Sequence, residues 1–435
     1  MTNIFFDNLK VASIDVADKK AEMRYDPEWV ARPEAFPISL SMPLGPDAVP
    51  HERTIPWLAN LLPESHLSEI GQQIGVSPQD VLGLLEHIGR DTAGALAIGA
   101  PRQAADEFRP IKRDQDLERI INELPQKPFL VGEHGVSMSL AGVQDKLPVA
   151  LVDGKLSIPI NGTPSTHIIK PDSSRLPANV QNEAFCLKLA QLVGLDASNA
   201  TVGKAGNRLY LLVERYDRIR HARGRIVRIH QEDFCQLLGF FPSAKYEFTS
   251  PTVGGGPTLK TIFDGAAQFI QPGSRIPLLD AVIFNVLICN VDSHAKNYSI
   301  LIGSGGSAKL APLYDLMCGE VYPKITKRLP QSINGRKESI HIFGADWQQL
   351  AKQVSLSPAR TLKRVAELCD LLPTQVEEAK EFVTSSPAGK CEMLDQVVFA
   401  IKKRCKRIAN QLAKVDPALA EEPDKVAENS SQQTP

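Results

Sequence analysis

Asn290-Val-Asp-Ser-His-Ala-Lys-Asn297 breaks sharply from the residues before it. Leu278-Leu-Asp-Ala-Val-Ile-Phe-Asn-Val-Leu-Ile-Cys-Asn290 reads as an apolar helix running through a core, and then nearly every position turns polar. Asp292 and Asn297 stand five residues apart. A short loop at that spacing fixes a carboxylate that can face an attacking hydroxyl against an amide oxygen that can hold Mg²⁺. Downstream, Ser299-Ile-Leu-Ile302 alternates into a strand, Gly303-Ser-Gly-Gly306 turns, and Leu310-Ala-Pro-Leu-Tyr-Asp315 brings in a second carboxylate. A carboxylate returning beside Asn297 is what a phosphate-bridging Mg²⁺ requires. Two other readings fit the same residues. They could form a capped turn, or Asp292, His294 and Asp315 could ligate a hydrolytic metal centre.

Upstream residues bear on that choice. Lys170 ends an alternating strand, Thr166-His-Ile-Ile-Lys170, and a helix bearing Glu183 follows. A strand lysine paired with a helix glutamate is the device by which protein kinases grip the α- and β-phosphates of ATP. A solvent-facing lysine at a strand end would read the same. Leu211-Leu-Val-Glu-Arg-Tyr-Asp217 is an apolar strand turning polar, as expected of a hinge offering backbone groups to adenine or of an ordinary sheet edge. Ser139-Leu-Ala-Gly-Val-Gln-Asp-Lys146 is a small-residue loop that could present N–H groups to phosphate or simply connect two elements. No G-x-x-x-x-G-K-[ST] occurs, which disfavours a P-loop NTPase, and Gly254-Gly-Gly256 reads as a linker.

The 435 residues carry Lys+Arg 49 against Asp+Glu 50, a formal net charge of −1, which argues against a free-standing DNA binder. The seven cysteines are scattered with no C-x-x-C pair, so neither a disulfide framework nor a structural zinc is indicated. No signal peptide or membrane span is legible, and the expectation is a cytoplasmic protein. Arginines 215, 218, 220, 223, 225 and 228 line one expected hairpin, and Lys402, Lys403, Arg404, Lys406 and Arg407 crowd the last expected helix. Either cluster reads as a solvated face or as a surface leaning on DNA through a partner.

Along the chain, Trp57 to Gly75 has helical spacing ending on glycine, and a second helix is expected from Ser77 with Pro78 at its first position. Arg102 to Arg119 reads as a charged linker. Lys146 to Ile160 is a hairpin turning at Asp153-Gly154, and the chain from Gln231 onward reads mostly helical. The boundaries expected are 1–105, 106–215, 216–415 and a disordered acidic tail, 416–435.

The ordered series SLAGVQDK, HIIKPD, NEAFCLKLA, VERYDR, HQEDFCQLLG, KYE, VDSHAKN and PLYDL resembles the HipA family of serine/threonine kinase toxins. The amino-terminal FFDNLKV, LSMPL, LANLLPE and GRDTAGAL resemble that family's N-terminal subdomain. The resemblance implies an α+β, two-lobed, protein-kinase-like fold of the lipid-kinase-like branch, with an N-terminal HipA subdomain and a mainly helical C-terminal lobe. Residue by residue it implies Asp292 as catalytic base and Asn297 and Asp315 as Mg²⁺ ligands. It places ATP at Ala141, Gly142, Val143, Gln144, Asp145 and Lys146 (the phosphate loop), Lys170, the hinge Glu214, Arg215 and Tyr216, and His294, Lys296, Asn297, Tyr314 and Asp315. Ser139 matches the autophosphorylated serine, with Ser137 close by. The implied partners are a HipB-like helix-turn-helix antitoxin, operator DNA through that complex, and a protein substrate such as glutamyl-tRNA synthetase. A corepressor without turnover and a metal-dependent hydrolase are the alternatives.

Overall fold

The computed structural model describes residues 1–221, 224–248 and 254–414. Arg223 and the acidic tail from 416 lie outside those residues. The chain begins with an antiparallel sheet ordered β3-β2-β1-β4, formed by β1 (Thr2–Phe6), β2 (Leu9–Ala17), β3 (Lys20–Tyr25) and β4 (Leu96–Ile98). Val11, Ala12 and Ile14 on β2 and Trp29 beside it are buried, so one face of this sheet is core.

Between β3 and β4 the single helix expected over 57–75 is two helices, His51–Ala59 and Leu67–Ile74. Pro63 explains the break, since it has no N–H to donate and keeps Leu62 from helical angles. The chain turns through Leu61 to His66, with His66 left-handed at φ 63°. The next helix runs from Val81 to Ile88 and is capped by Asp80, whose carboxylate accepts from Gly83 N, rather than by Ser77.

A six-stranded antiparallel sheet follows, ordered β5-β7-β6-β8-β10-β9. Its strands are β5 (Glu107–Pro110), β6 (Leu147–Val152), β7 (Lys155–Ile160), β8 (His167–Pro171), β9 (Ala200–Ala205) and β10 (Arg208–Glu214). The charged stretch expected as a linker therefore supplies an edge strand, β5, and the helix Asp114–Glu123. At the β6–β7 turn Asp153 and Gly154 both take positive φ (47° and 76°), the two-residue turn that Asp-Gly favours. The helix α1 (Asn179–Leu192) packs on this sheet and carries Glu183 inward.

The remainder is mainly helical: α2 (Arg275–Ile288), α3 (Pro358–Thr384) and α4 (Glu392–Leu412) pack together, and α3 also reaches α1. Gln231 to Asp233, expected as helix, instead belong to the strand β13 (His230–Asp233), after β11 (Arg218–Arg220) and β12 (Ile226–Arg228). β13 pairs with β14 (Ser299–Ile302), which pairs with β15 (Ala308–Leu310), a small sheet holding the polar loop after α2. Among the described residues no helix is long and apolar enough to cross a membrane.

The two basic clusters are solvated faces only in part. Arg215, Arg218 and Arg228 are buried around Asp91 and Asp217. Arg218 meets Asp91 at 3.0 Å and Asp217 at 3.0 Å, Arg215 meets Asp217 at 2.8 Å, and Arg228 donates to the carbonyls of Arg90 and Gly162. Burial works against the Asp91 carboxylate, but the three guanidiniums hold it far below the usual range. On α4, Arg404 is buried and donates to the carbonyls of Val286 and Leu287 at the end of α2, to Ser339 and to Glu320, while Lys402 pairs with Glu377. Arg215, Arg218, Arg228 and Arg404 are therefore internal ties between segments distant in sequence, while Arg220, Arg225, Lys402, Lys403 and Lys406 are exposed.

Candidate active site

Helix α2 stops because Cys289 turns left-handed (φ 61°), and Asn290 then pins the loop. The Asn290 amide donates to Asn285 Oδ1 (3.0 Å) and to the carbonyl of Asp315 (3.1 Å), while its own oxygen accepts from Asp292 N (3.3 Å). Asn290 thus sets the distance between Asp292 and Asp315. Asn297 Nδ2 donates to the carbonyl of Asp292 (2.8 Å), which leaves the Asn297 Oδ1 side for a cation.

These residues form one wall of a cleft of about 520 Å³ between the six-stranded sheet and the helical lobe. It gathers Asp292, His294, Lys296, Asn297, Tyr314 and Asp315 from one side, and Lys170, Glu214, Arg215, Tyr216 and the 141–146 loop from the other. Asp145 is the exception: it faces away, towards His66.

Lys170 is buried and bonded both to Glu183, at 2.5 Å, and to Asp315. Burial alone would lower its pKa, but the two carboxylates outweigh that and hold the ammonium charged. The shared ammonium also keeps Asp315 ionised against its own burial, while burial raises Glu183. Lys170 and Asp315 therefore neutralise each other inside the cleft. Lys146 is also buried and donates to the carbonyl of Ala141, and burial lowers its pKa to about 8.

The Asp292 side chain is 65% exposed at the floor of the cleft, open to an incoming group. Crowding by the walls raises its pKa, against a hydrogen bond from the Tyr246 hydroxyl and the nearby Lys245. His294 packs edge-on to Tyr246 at 5.1 Å, and burial together with Lys245 and Lys296 keeps the imidazole neutral. Its Nδ1 has no partner among the described residues. Lys296 borders the cleft, but its ammonium is engaged by Asp233 (2.8 Å) and Asn60 Oδ1 (2.6 Å). Tyr314 donates to the carbonyl of Lys296 (2.5 Å) and lies 5.9 Å from the Tyr216 ring. In the hinge, Arg215 N donates to Thr166 O, and its guanidinium is taken by Asp217, Ser165 and Thr92 O.

Gly142 takes φ +111°, and a Cβ there would meet Lys146 Nζ at 2.5 Å, so only glycine fits. Among the described residues no backbone amide of 141–145 is bonded, whereas the carbonyls of 141, 142 and 143 all are. Unpaired amides facing a cleft form an anion-binding concavity. Ser139 is fully buried, its hydroxyl donating to Leu61 O at 2.7 Å, and Ser137 donates to His87 O at 2.7 Å.

Cleft residues given no role from the sequence include Tyr246, Lys245, Glu64, Asn60 and Asp233. Tyr246 and Asp292 lie 46 positions apart. No periodicity marks such a pair; Lys245 and Tyr246 stand in the string KYE, and Asn60 and Glu64 in LANLLPE, with no role legible in either. A hydrolytic metal centre finds no support, since among the described residues no three of His, Cys, Asp and Glu converge as ligands.

A β-rich lobe with a lysine–glutamate pair, a hinge, and a helical lobe presenting Asp292, Asn297 and Asp315 define a two-lobed, protein-kinase-like α+β fold. Known proteins agree. The HipA-like C-terminal domain profile matches residues 138–376, and the HipA N-terminal domain profile matches residues 2–99. The chain belongs to the HipA family. It is 37% identical over 356 residues to the Sinorhizobium fredii protein named "Putative kinase Y4mE", covering 80% of this chain and 83% of that one. It is 30% identical over 396 residues to the Shewanella oneidensis "Serine/threonine-protein kinase toxin HipA", covering 85% and 89%. The solved Shewanella oneidensis HipA, in complex with HipB and operator DNA, superimposes with a TM-score of 0.82 at 25% identity, covering 94% of this chain and 98% of that one.

Proposed function

We propose that this chain is a Mg²⁺–ATP-dependent serine/threonine protein kinase acting as the toxin of a toxin–antitoxin pair. The observation that carries the reading is the convergence of Asp292, Asn297 and Asp315 on one cleft wall, opposite a lysine held by Glu183. The donor set suits Mg²⁺: an ionised carboxylate, Asp315, and an amide whose nitrogen is already engaged are hard oxygen donors. When bound, the ion would neutralise charge on the phosphates.

The residues of the chain do the rest. Lys170 and Lys146, with the unpaired amides of 141–145, would hold the phosphates, and Glu214 to Tyr216 would border adenine. Asp292 would orient the acceptor hydroxyl and take its proton as the phosphoryl group moves. His294, neutral and half free of partners, can donate towards phosphate without adding charge. Lys296 and Tyr314 would serve by holding the loop against Asp233, Asn60 and Ser299.

Ser139 cannot be reached while its hydroxyl is tied to Leu61, so self-phosphorylation there would require the loop to leave the cleft. A dianionic phosphoserine would then bar the loop's return and shut the enzyme off. By analogy with the Shewanella complex, a HipB-like antitoxin would bind the chain and bring it to operator DNA, repressing the operon. The first protein substrate to test is glutamyl-tRNA synthetase.

The test is incubation of the purified chain with Mg²⁺ and labelled ATP. The wild type should incorporate phosphate, with a mass gain mapping to Ser139. Asp292→Asn should abolish transfer while still binding nucleotide. A wild type that binds nucleotide and transfers nothing, alone or with the synthetase, would overturn the reading in favour of a corepressor.

A further inference from the structure

The Leu61–His66 turn exists because Pro63 interrupts a helix, and it lies along the whole length of the 139–146 loop. Four contacts join them. Ser139 Oγ donates to Leu61 O (2.7 Å), Glu64 N donates to Gly142 O (3.1 Å), Ser65 Oγ donates to Val143 O (2.9 Å), and His66 Nε2 meets Asp145 Oδ1 at 3.2 Å. The loop itself has no helix or strand to hold it between Ser139 and Lys146.

The polarity of these contacts matters. The turn takes the carbonyls of Gly142 and Val143, while the amides of 141–145 stay without protein partners among the described residues, in a loop that lines the cleft. The same turn also reaches the opposite wall. Glu64 pairs with Lys245 at 2.5 Å, and Lys245 O accepts from Ala295 N in the Asp292 loop. Asn60, just before the turn, accepts from Lys296.

We infer that the Leu61–His66 turn is a positioning element of the phosphate site, a clamp by which the N-terminal subdomain orients the 139–146 loop and restrains the release of Ser139. This rests on the ATP reading above, because only a nucleotide gives the oriented amides a purpose. The clamp itself is a property of the protein without nucleotide. Two of its contacts come from side chains at the surface, so they can be removed without touching the core.

The experiment compares the full-length wild type, Ser65→Ala/His66→Ala, and Ser65→Thr/His66→Gln, which retains a hydroxyl and an N–H donor. Without nucleotide, tryptic cleavage after the buried Lys146 is followed by mass spectrometry. Each lost hydrogen bond weakens the closed loop, so cleavage should quicken roughly tenfold in the alanine pair and return towards wild type in the conservative pair. With nucleotide, KM for ATP should rise roughly tenfold while kcat for a protein acceptor changes little, since Asp292 is untouched. Unchanged cleavage in the alanine pair would overturn the clamp whatever the nucleotide data say. Faster cleavage in a protein whose wild type binds no ATP would instead sink the ATP reading and leave the clamp standing.

Discussion

Lys146 offers the sharpest test of how the cleft handles charge. Its ammonium is buried against Ala141 O, within reach of Lys170, and its pKa falls to about 8. An arriving nucleotide brings phosphate charge that favours the protonated lysine, so binding should draw a proton from solvent wherever the free protein has lost it. With a pKa near 8, about 0.9 of the molecules carry the charge at pH 7 and about 0.1 at pH 9. Affinity for ADP should therefore fall roughly tenfold over that interval, about 1.4 kcal/mol. Calorimetry at pH 8.5 in buffers of different ionisation enthalpy should show net uptake of most of one proton. Lys146→Gln should bind more weakly at pH 7, lose the uptake and flatten the pH dependence, which separates Lys146 from other groups titrating nearby. A wild-type affinity that is flat from pH 7 to 9, or an uptake that survives in Lys146→Gln, would refute the assignment.

Three further outcomes follow from the geometry. Asp91→Asn should cost about 3–5 kcal/mol, because it leaves Arg215, Arg218 and Arg228 buried around an uncharged amide; equilibrium denaturation reads it, and since the folded pKa of Asp91 is depressed, the lost term is one present above the ordinary aspartate pKa and weakening as pH falls through the folded one. Tyr246→Phe removes a hydrogen bond that lowers the Asp292 pKa, so the acid limb of the kcat–pH profile should move to higher pH, and an unmoved limb would show that Asp292 does not titrate there. Arg404→Met should lower stability by about 2–4 kcal/mol by stripping donors from the last carbonyls of α2, read as a fall in Tm.

What the sequence made legible was local. Asp292, Asn297 and Asp315 declared themselves through spacing and through the abrupt change from an apolar helix to a polar loop. Lys170 and Glu183 did so through a strand followed by a helix. Two of the misreadings share one cause, interactions spanning long stretches of chain. Arg215, Arg218 and Arg228 looked solvated because Asp91, which neutralises them, precedes Arg218 by 127 positions. Arg102 to Arg119 looked like a linker because the partner of its edge strand, β7, lies some fifty residues on. The Leu61–His66 turn was lost inside a helical pattern because apolar spacing alone does not register one proline.

The buried arginines also govern how the molecule can move. Kinase-like lobes ordinarily rock about the strand that joins them, opening for one ligand and closing on the next. Here that joint is tied to the N-terminal subdomain. The Arg215 guanidinium is shared among Asp217, Ser165 and the Thr92 carbonyl, and Arg218 holds Asp91 and Gly94 from the next strand. None of these partners lies on α2, α3 or α4, so the ties fix the joint to the N-terminal subdomain and the β-rich lobe, and breaking them would leave several buried charges unpaired. The 139–146 loop has no such arginine anchorage and no helix or strand of its own. Joint and loop are thus fastened to the same subdomain, the one by buried arginines, the other by Ser65 and His66.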